Sequence, residues 1–416
     1  MRQDWQISSL EEVVKFIDYR GKTPQKTEYG MRLITAKNVK MGYLQNKPLE
    51  FVDPKIYDEW MTRGIPKQGD VLFTTEAPLG NVAQLDTDEK VVFAQRIIVM
   101  QPKREVLDST FLKYMLLSNE MQEKIHEKGT GATVKGIKSQ LLKKVQISFP
   151  RYLPEQKRIV AILDEAFEGI DRAIANTEKN LANARELFES YLNAIFTQKG
   201  EGWRQNKLSE VCEKITDGTH QTPKYFESGV VFLSSRNVTS GTIDWDKIKY
   251  IDDAQHIAMQ KRVSPRLHDI LLAKNGTTGV AALVDKDIDF DIYVSLALLR
   301  PLPIILPKFM LHFVNSPVAK EQFNKRLKGI GVPNLHLEEI REVTIFYPQD
   351  LALQEVIVVK IDEMRSQILR LETIYLQKLA ALNELKQSIL QKAFTGELTA
   401  DTANQVKKTA KEVNAA

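Results

Sequence analysis

A nucleotide or metal site would need residue types and spacings that this sequence does not supply. Residues 131–136 are similar to the start of a phosphate-binding loop, but Ile137 stands where that loop has its lysine. No Gly-x-Gly-x-x-Gly opens a helix after a strand, so a dinucleotide or methyl-donor pocket of that type is unsupported. The six histidines include no pair spaced four apart that would suit zinc. The sequence therefore favours binding over catalysis.

Two acidic residues, Asp70 and Glu76, could hold a metal ion as in a nuclease. Their equivalents later in the chain are Asp269 and Asn275, so the acidic pair is not repeated. Pro78 stands where such a site would need a lysine. We interpret these residues as a turn acid and a loop residue, and we expect the chain not to be an enzyme.

The chain is a tandem duplication. Trp5 recurs as Trp203, Gly129 as Gly329 and Phe196 as Phe394, and other matches keep nearly the same offset. The repeat of about 200 residues is far longer than the roughly 20–50-residue units of solenoids and propellers. Each copy is therefore a whole domain with an appended segment. Two related surfaces on one chain suit a target with two related halves, such as DNA.

Composition sets the class of protein but not its partner. At 416 residues the chain should hold two or more domains, and its 43% apolar and 27% charged content is ordinary for globular protein. A net charge of +4 permits a nucleic-acid partner without demanding one. The single cysteine, Cys212, excludes an internal disulfide framework. Because no signal peptide or bilayer-spanning stretch is evident, we expect a cytoplasmic protein.

Each copy begins with a mixed α/β domain, at residues 1–150 and 201–349. Short apolar runs between turns rich in Gly, Pro, Asn and Asp predict strands, and residues 111–126 and 309–327 predict helices. The predicted fold class is α+β, with two duplicated mixed α/β domains separated by long helices. Residues 400–416 are polar and lack an apolar period, so we expect a disordered tail.

Two long helical segments, residues 151–200 and 350–399, follow the domains. Apolar residues recur there at alternating steps of three and four, as in a coiled coil. Each helix of about 40 residues would be roughly 60 Å long and would need a partner for its apolar stripe. We expect the helices to pack antiparallel about an internal pseudo-twofold axis; alternatively, each folds onto its own domain. The predicted helix–helix seam residues are Ile159, Leu163, Ile170, Ile174, Leu181, Phe188, Ile195, Ile361, Ile368, Leu379, Leu382 and Ile389.

The order of these segments resembles the DNA-specificity subunit of type I restriction–modification systems, over residues 5 to about 399. The matching segments are 73–83 (FTTEAPLGNVA), 147–164 (ISFPRYLPEQKRIVAILD), 216–223 (TDGTHQTP), 233–238 (LSSRNV) and 385–398 (LKQSILQKAFTGEL). Their order, repeated once with a long helix after each copy, is highly specific.

The resemblance implies two target-recognition domains, each reading one half of a bipartite, asymmetric double-stranded DNA target. It implies that the helices fix the unspecified spacer between the halves, and that two methyltransferase (modification) subunits dock on them. Motor–nuclease (restriction) subunits are optional further partners. The methyl donor, ATP and magnesium would belong to these partners, so no cofactor is expected on this chain.

The two copies themselves suggest which residues contact DNA. Residues that the copies share should serve the scaffold or phosphate contacts, whereas loops that differ should read sequence. Lys37-Asn38 matches Arg236-Asn237, which makes the cation a candidate for a phosphate contact and the asparagine a candidate for capping a turn. Gly80 matches Gly279, which indicates a backbone requirement.

The differing loops carry side chains that match base edges: Lys or Arg for guanine, Asn or Gln for adenine, a carboxylate for the cytosine amino group. A good bidentate contact discriminates by about 1–3 kcal/mol, so a few per domain define a half-site. The DNA-contact candidates are Arg20, Lys22, Thr23, Gln25, Lys26, Lys37, Asn38, Thr74, Thr75, Glu76, Thr133, Lys135, Lys138, Thr219, His220, Gln221, Lys224, Arg236, Asn237, Lys274, Asn275, Thr277, Thr278, Asn334 and His336.

Two other functions fit parts of this pattern. A coiled-coil adaptor would bind protein through its paired domains and would show no steep fall of DNA binding with salt. A DNA enzyme with an unrecognised site would methylate or cleave DNA as the purified chain alone.

Overall fold

A computed structural model describes the chain over residues 4–19, 23–131, 133–198, 200–238, 241–276, 278–327 and 334–398. The candidates Arg20, Lys22 and Thr277, the repeat glycine Gly329 and the predicted tail 400–416 lie outside these ranges. The chain divides into two compact units. The first unit is Met1–Thr177 with Gln377–Ala416, and the second is Glu178–Leu376.

In its described residues the first unit has ten strands, in one two-stranded and two four-stranded sheets. β1 pairs antiparallel with β10; the second sheet has the order β2-β9-β6-β7, and the third β3-β5-β4-β8, in which β4 and β8 are parallel. The strands are β1 Trp5–Ser9, β2 Val14–Asp18, β3 Lys26–Thr27, β4 Met31–Ile34, β5 Glu50–Val52, β6 Val71–Thr74, β7 Val82–Gln84, β8 Val92–Phe93, β9 Ile97–Pro102 and β10 Gln146–Pro150.

Short helices complete the domain of the first unit. They are α1 Leu10–Val13, α2 Tyr57–Trp60 after a 3-10 turn at Pro54–Ile56, α3 Ser109–Leu117, α4 Asn119–Glu127 and α5 Ser139–Lys143. The sequence predicted one helix over 111–126. The structure has two, because Ser118 turns extended and caps α4 by accepting a hydrogen bond from Met121 N.

The central strands read as continuous apolar runs because both faces of their sheet are covered. On β9, Ile98 and Met100 face the helices, whereas Ile97 and Val99 face the third sheet. All of these side chains are fully buried. The domain is therefore layered, with one sheet between helices and a second sheet.

The domain of the second unit repeats the first, except that within the described ranges no strand corresponds to β3; its sheets are β11-β19, β12-β18-β15-β16 and β14-β13-β17. The parallel pair β4 and β8 recurs as β13 and β17. The strands are β11 Trp203–Lys207, β12 Cys212–Asp217, β13 Val230–Leu233, β14 Lys249–Ile251, β15 Ile270–Ala273, β16 Ala281–Leu283, β17 Phe290–Ile292, β18 Leu296–Pro301 and β19 Thr344–Pro348.

The remaining helices are the two long helices and the short helices of the second domain. These helices are α6 Leu153–Phe196, α7 Leu208–Val211, α8 Asp253–Gln260, α9 Pro307–Asn315, α10 Pro317–Asn324, α11 Leu337–Arg341 and α12 Leu351–Thr395, with a 3-10 turn at Ser235–Asn237. No helix in the described ranges is long and apolar enough to cross a membrane.

The structure confirms the two predicted long helices, α6 with 44 residues and α12 with 45. They run antiparallel. In the first unit Lys386, late on α12, pairs with Asp171 on α6. In the second unit Arg185, late on α6, pairs with Glu372 on α12 at 2.7 Å between Nε and Oε1. Each unit takes part of both helices, and the first unit is therefore discontinuous in sequence, whereas the second is one continuous segment.

The predicted seam residues all turn away from solvent. Five of them are buried: Ile159, Leu163, Ile170, Ile361 and Ile368. The other seven are half-buried: Ile174, Leu181, Phe188, Ile195, Leu379, Leu382 and Ile389. Two residues in the same sequence stripe, Leu371 and Leu385, are 38% and 47% exposed, so the buried stripe of α12 is narrower than its apolar pattern.

The helices also complete the domain cores, which the seam pattern alone did not indicate. In the first unit the start of α6 (Ile159) and the end of α12 (Phe394) belong to one apolar cluster, where Phe394 contacts Phe111. In the second unit Phe196, at the end of α6, lies between Phe309 and Phe313. The start of each helix thus packs on the domain before it, as the alternative interpretation expected, and the same helix also packs on its partner.

Candidate nucleic-acid interface

A frame of backbone hydrogen bonds holds the predicted reading loops of the first domain together. Thr75, which follows β6, donates from N to Arg96 O at 2.9 Å and accepts from Ile137 N at 2.9 Å. An isolated bridge joins Glu76 to Gly136. The loops after β6, before β9 and before α5 therefore meet at one place.

The second domain has the same frame with other side chains. Lys274, which follows β15, donates from N to Ser295 O at 2.9 Å and accepts from Leu335 N at 3.1 Å. An isolated bridge joins Asn275 to Asn334. The side-chain oxygens of Asn275 and Asn334 are buried and lack a hydrogen-bond partner among the described residues. We call this pair of equivalent arrangements the recognition frame.

The two glycines matched between the copies confirm the expected backbone requirement. Gly80 has φ +90° and Gly279 has φ +87°, in the left-handed region that favours glycine. Gly80 N donates to Thr74 O, and Gly279 N to Ala273 O, each at 2.9 Å. These hydrogen bonds close the loop that follows β6 in the first domain and the loop that follows β15 in the second. Each of these loops is part of the recognition frame.

Two asparagine candidates have internal roles and are removed from the readout set. Asn38 is buried; its Oδ1 accepts from Thr35 N, and its Nδ2 donates to the carbonyl of Pro48, each at 2.9 Å. Asn237 is also buried and repeats this arrangement with Ser234 N at 2.9 Å and Lys247 O at 3.1 Å. Both asparagines therefore cap turns. Of the two roles that the sequence allowed them, DNA contact and turn capping, the structure shows the second.

Two threonine candidates are also corrected, because their hydroxyls face the protein. Thr74 is fully buried; its Oγ1 donates to Pro78 O at 2.6 Å and accepts from Asn81 N at 2.9 Å. Thr75 is 2% exposed, and its hydroxyl donates to Arg96 O at 3.4 Å. Their polar side chains suggested readout, but burial gives them a structural role.

Lys274 is the fifth corrected candidate. It is buried, and its Nζ donates to Asp217 Oδ2 at 2.6 Å. Asp217 also accepts from Arg262, and His220 Nε2 lies 3.3 Å from Asp217 Oδ1. Burial raises the pKa of the Asp217 carboxyl, but hydrogen bonds from Lys274 and Arg262 outweigh it, so this pKa lies below its usual value.

This cluster leaves a positive charge at the loop surface. Two cationic side chains, Lys274 and Arg262, surround one carboxylate, and the Arg262 side chain is 47% exposed. Arg262 is held by a second bond, from Nε to Asp217 O at 3.1 Å. A fixed, half-exposed guanidinium with excess positive charge suits a phosphate. Arg262 was missed by the sequence analysis, although the repeat marks it: Arg63 stands 199 positions earlier, the offset that also relates Asp70 to Asp269.

The other candidates are exposed or half-exposed and stay predictions. They are Thr23, Gln25, Lys26, Lys37, Glu76, Thr133, Lys135, Lys138, Thr219, His220, Gln221, Lys224, Arg236, Asn275, Thr278, Asn334 and His336. Lys26 forms an ion pair with Glu50 at 2.7 Å, and Thr219 Oγ1 donates to Gln221 O at 3.4 Å.

The structure brings Glu76 and Lys138 into one concavity of about 360 Å³, which Arg96 and Thr130 also line. In the second domain Arg236 lines a concavity of about 610 Å³ beside Tyr225, whose ring lies 3.8 Å from Lys249 Nζ. Arg96 was also missed. Comparison of the two copies could have identified it, because Gln95-Arg96 precedes β9 at the position where the second copy has Val294-Ser295.

The arrangement is suited to binding. Each domain presents hydrogen-bonding and cationic side chains on loops that a rigid, duplicated frame positions. Within the described ranges, no group of three or more His, Cys, Asp or Glu side chains is placed to hold a metal ion. The fold and this site define a protein with two homologous recognition surfaces.

The chain belongs to the family of the type I restriction modification DNA specificity domain, whose sequence model matches residues 2–182 and again 200–381. The two matches correspond to the two copies seen in the sequence and in the fold. The family assignment gives the chain a role in DNA sequence specificity, and it does not favour the protein-binding adaptor.

Individual relatives agree with the family. The chain is 24% identical over 339 residues to the type I restriction enzyme EcoBI specificity subunit of Escherichia coli, covering 75% of this chain and 70% of that protein. It is 21% identical over 372 residues to the MjaVIII specificity subunit of Methanocaldococcus jannaschii, covering 83% of each.

Solved structures share the fold. A chain from a structural study of type I R-M complex assembly and conformational transition superposes with a TM-score of 0.74 at 20% identity, over 95% of this chain and 98% of that one. The HsdS subunit from Thermoanaerobacter tengcongensis superposes with a TM-score of 0.53 at 21% identity, over 96% and 98%.

Proposed function

We propose that this chain is the non-catalytic, DNA-reading subunit of a type I restriction–modification complex. Each domain reads one half of a bipartite, asymmetric target in double-stranded DNA, and the loops of the recognition frame make the base contacts. The same proposal places the chain in the cytoplasm, where the DNA is.

One observation carries this proposal: the recognition frame recurs while its side chains change. The partly exposed Glu76 and Arg96 become Asn275 and the buried Ser295 on the same hydrogen-bonded backbone. A fold requirement would keep these residues alike. Their divergence supports two domains that read different sequences, because different donor and acceptor sets match different base edges.

The helices supply the spacing in this proposal. A 44-residue helix is roughly 66 Å long, about two turns of B-DNA at about 34 Å each. Since each helix is continuous between its ends, its length can set the number of unspecified base pairs between the half-sites.

In this proposal the partner subunits carry out the methylation and cleavage reactions. We propose that two modification subunits dock on the helices, that motor–nuclease subunits join them in a restriction complex, and that methyl donor, ATP and magnesium bind to those subunits. Large apolar side chains on α12 support a docking role, since Val359, Leu369 and Ile374 are 48%, 52% and 46% exposed in this chain.

A domain exchange tests the reading assignment. Residues 1–150 are replaced by the corresponding domain of another specificity subunit, and the chain is produced with its modification partner in a host free of that methylation. Sequencing of methylated bases should show one half of the motif changed and the other half and spacer kept. A change in both halves, or in neither, contradicts the modular assignment.

A second experiment tests whether the lengths of α6 and α12 set the spacer between the half-sites. Insertion of the same few residues into α6 and α12 should lengthen the spacer and leave both half-sites unchanged. The comparison variant carries the same insertion only in the polar segment after residue 398. An unchanged spacer in the helix variant would contradict the proposed role of the helices.

A further inference from the structure

We propose that Glu76 and Arg96 act as one unit that reads a single G·C base pair in the half-site of the first domain. This inference rests on the proposed function and adds to it the base pair and the residues that select it. Arg96 would donate to guanine O6 and N7, and Glu76 would accept from the cytosine amino group.

The pair lines the concavity in the first domain. Arg96 Nε lies 3.0 Å from Glu76 Oε1, and each side chain is 45% exposed. Thr130, Val134 and Lys138 line the same concavity, and Val134 is 53% exposed. Donor and acceptor are therefore presented side by side to solvent, within a surface that a base-pair edge can approach.

The duplicate domain shows that the fold does not need this ion pair. The frame positions of Glu76 and Arg96 hold Asn275 and Ser295 in the second domain, and the backbone bonds around them persist. Ser295 is only 8% exposed and accepts from Ser235 N at 3.0 Å, so it serves the interior. The charged pair is thus an addition specific to the first domain.

The backbone holds Arg96 in place at a conformational cost. Its φ is +78°, in the left-handed region that a residue with a side chain rarely adopts. Its carbonyl accepts from Thr75 N at 2.9 Å, which ties it to the loop that carries Glu76. An unfavourable conformation retained at an exposed residue of a binding surface points to a functional demand on that residue.

The chemistry of the pair matches one base-pair edge. In the major groove a G·C pair presents guanine O6, an acceptor, next to the cytosine N4 amino donor. The Glu76–Arg96 pair likewise presents a donor next to an acceptor, with Arg96 Nε 3.0 Å from Glu76 Oε1. Arginine to guanine is the commonest specific contact, and a carboxylate to cytosine rejects thymine, which offers only an acceptor there.

The experiment uses the full chain with its modification partner in a host free of that methylation, with sequencing of methylated bases. The half read by the first domain is identified by the domain exchange. Wild type should require G·C at one position of that half. In Arg96→Lys, and in a double variant with Glu76→Asn and Arg96→Ser, the preference for that pair should fall by about tenfold or more. The other half and the spacer should not change.

The matched control removes another exposed ion pair of the same domain, Glu120 with Lys124 on α4, whose charged atoms lie 2.6 Å apart. Glu120→Asn with Lys124→Ser should leave the motif unchanged. If the double variant unfolds, Arg96→Lys decides, because it keeps the charge and reach but not the bidentate fork.

Several results overturn the inference. One is a G·C requirement as strict in Arg96→Lys as in wild type, and another is a half-site of the first domain without any fixed G·C pair. Uniform loss of methylation by Arg96→Lys with an unchanged melting temperature would assign the pair to overall binding instead. The proposed function fails separately, when the domain exchange leaves both halves unchanged.

Discussion

A buried glutamine at the start of each long helix should anchor that helix to its domain, and Gln156→Leu tests this. Gln156 is fully buried; its Oε1 accepts from Asp108 N at 2.8 Å, and its Nε2 donates to Val106 O at 2.9 Å and Pro150 O at 2.8 Å. Leucine has nearly the same size but can make none of these hydrogen bonds.

The expected cost follows from the groups left behind. A buried N–H without an acceptor costs about 1–3 kcal/mol, and each carbonyl that loses its donor adds a smaller amount. We expect a loss of about 3 kcal/mol in the free energy of unfolding of the first unit. For a unit of this size that lowers the melting temperature by roughly 6–12 °C.

Scanning calorimetry of the purified chain measures this effect. Gln354→Leu is the replicate in the second unit, because Gln354 makes the same three bonds with Leu306 N, Ile304 O and Pro348 O. Gln68→Leu is the control, because Gln68 is exposed and its side chain donates one hydrogen bond, of 3.3 Å, to Asp86 O. If Gln156→Leu melted as Gln68→Leu does, the anchoring argument would be wrong.

Three further predictions concern stability, measured by urea unfolding. Gly80→Ala should cost about 1–3 kcal/mol, because the new Cβ would lie 2.6 Å from Gln122 Oε1 at φ +90°; an unchanged midpoint would contradict this. Phe196→Ala should destabilise the second unit by about 3–5 kcal/mol, whereas Leu187→Ala, at a residue 54% exposed, should cost far less. Asp217→Asn should destabilise at neutral pH by about 3–5 kcal/mol, because Lys274 loses its buried partner. Since the pKa of Asp217 is lowered, its contribution is present above the ordinary value of 3.8 and is lost as pH falls through the folded pKa; the gap between wild type and variant should therefore close in acid. A gap independent of pH would refute that assignment.

The candidate site was only partly predictable from the sequence. Comparing the copies predicted that Glu76 and Asn275 are equivalent positions, and they do occupy equivalent places in the recognition frame. It could not separate Glu76 from its neighbour Thr75, because burial depends on which loops fold over a residue. Thr75 is 2% exposed, whereas the Glu76 side chain is 45% exposed.

The sequence by itself determined the duplication, the alternation of mixed domains with long helices, and the apolar stripe along each long helix. These features are repeats and periodicities that are visible in the sequence itself. Hydrophobic periodicity predicts secondary structure, because it depends only on residues close together in the chain. Only the tertiary structure decided that Phe196 and Phe394 fill domain cores and that Lys274 is neutralised by Asp217. It also decided that Arg96 stands beside Glu76. Such contacts join residues far apart in the chain, and no local pattern specifies which partners the fold will bring together.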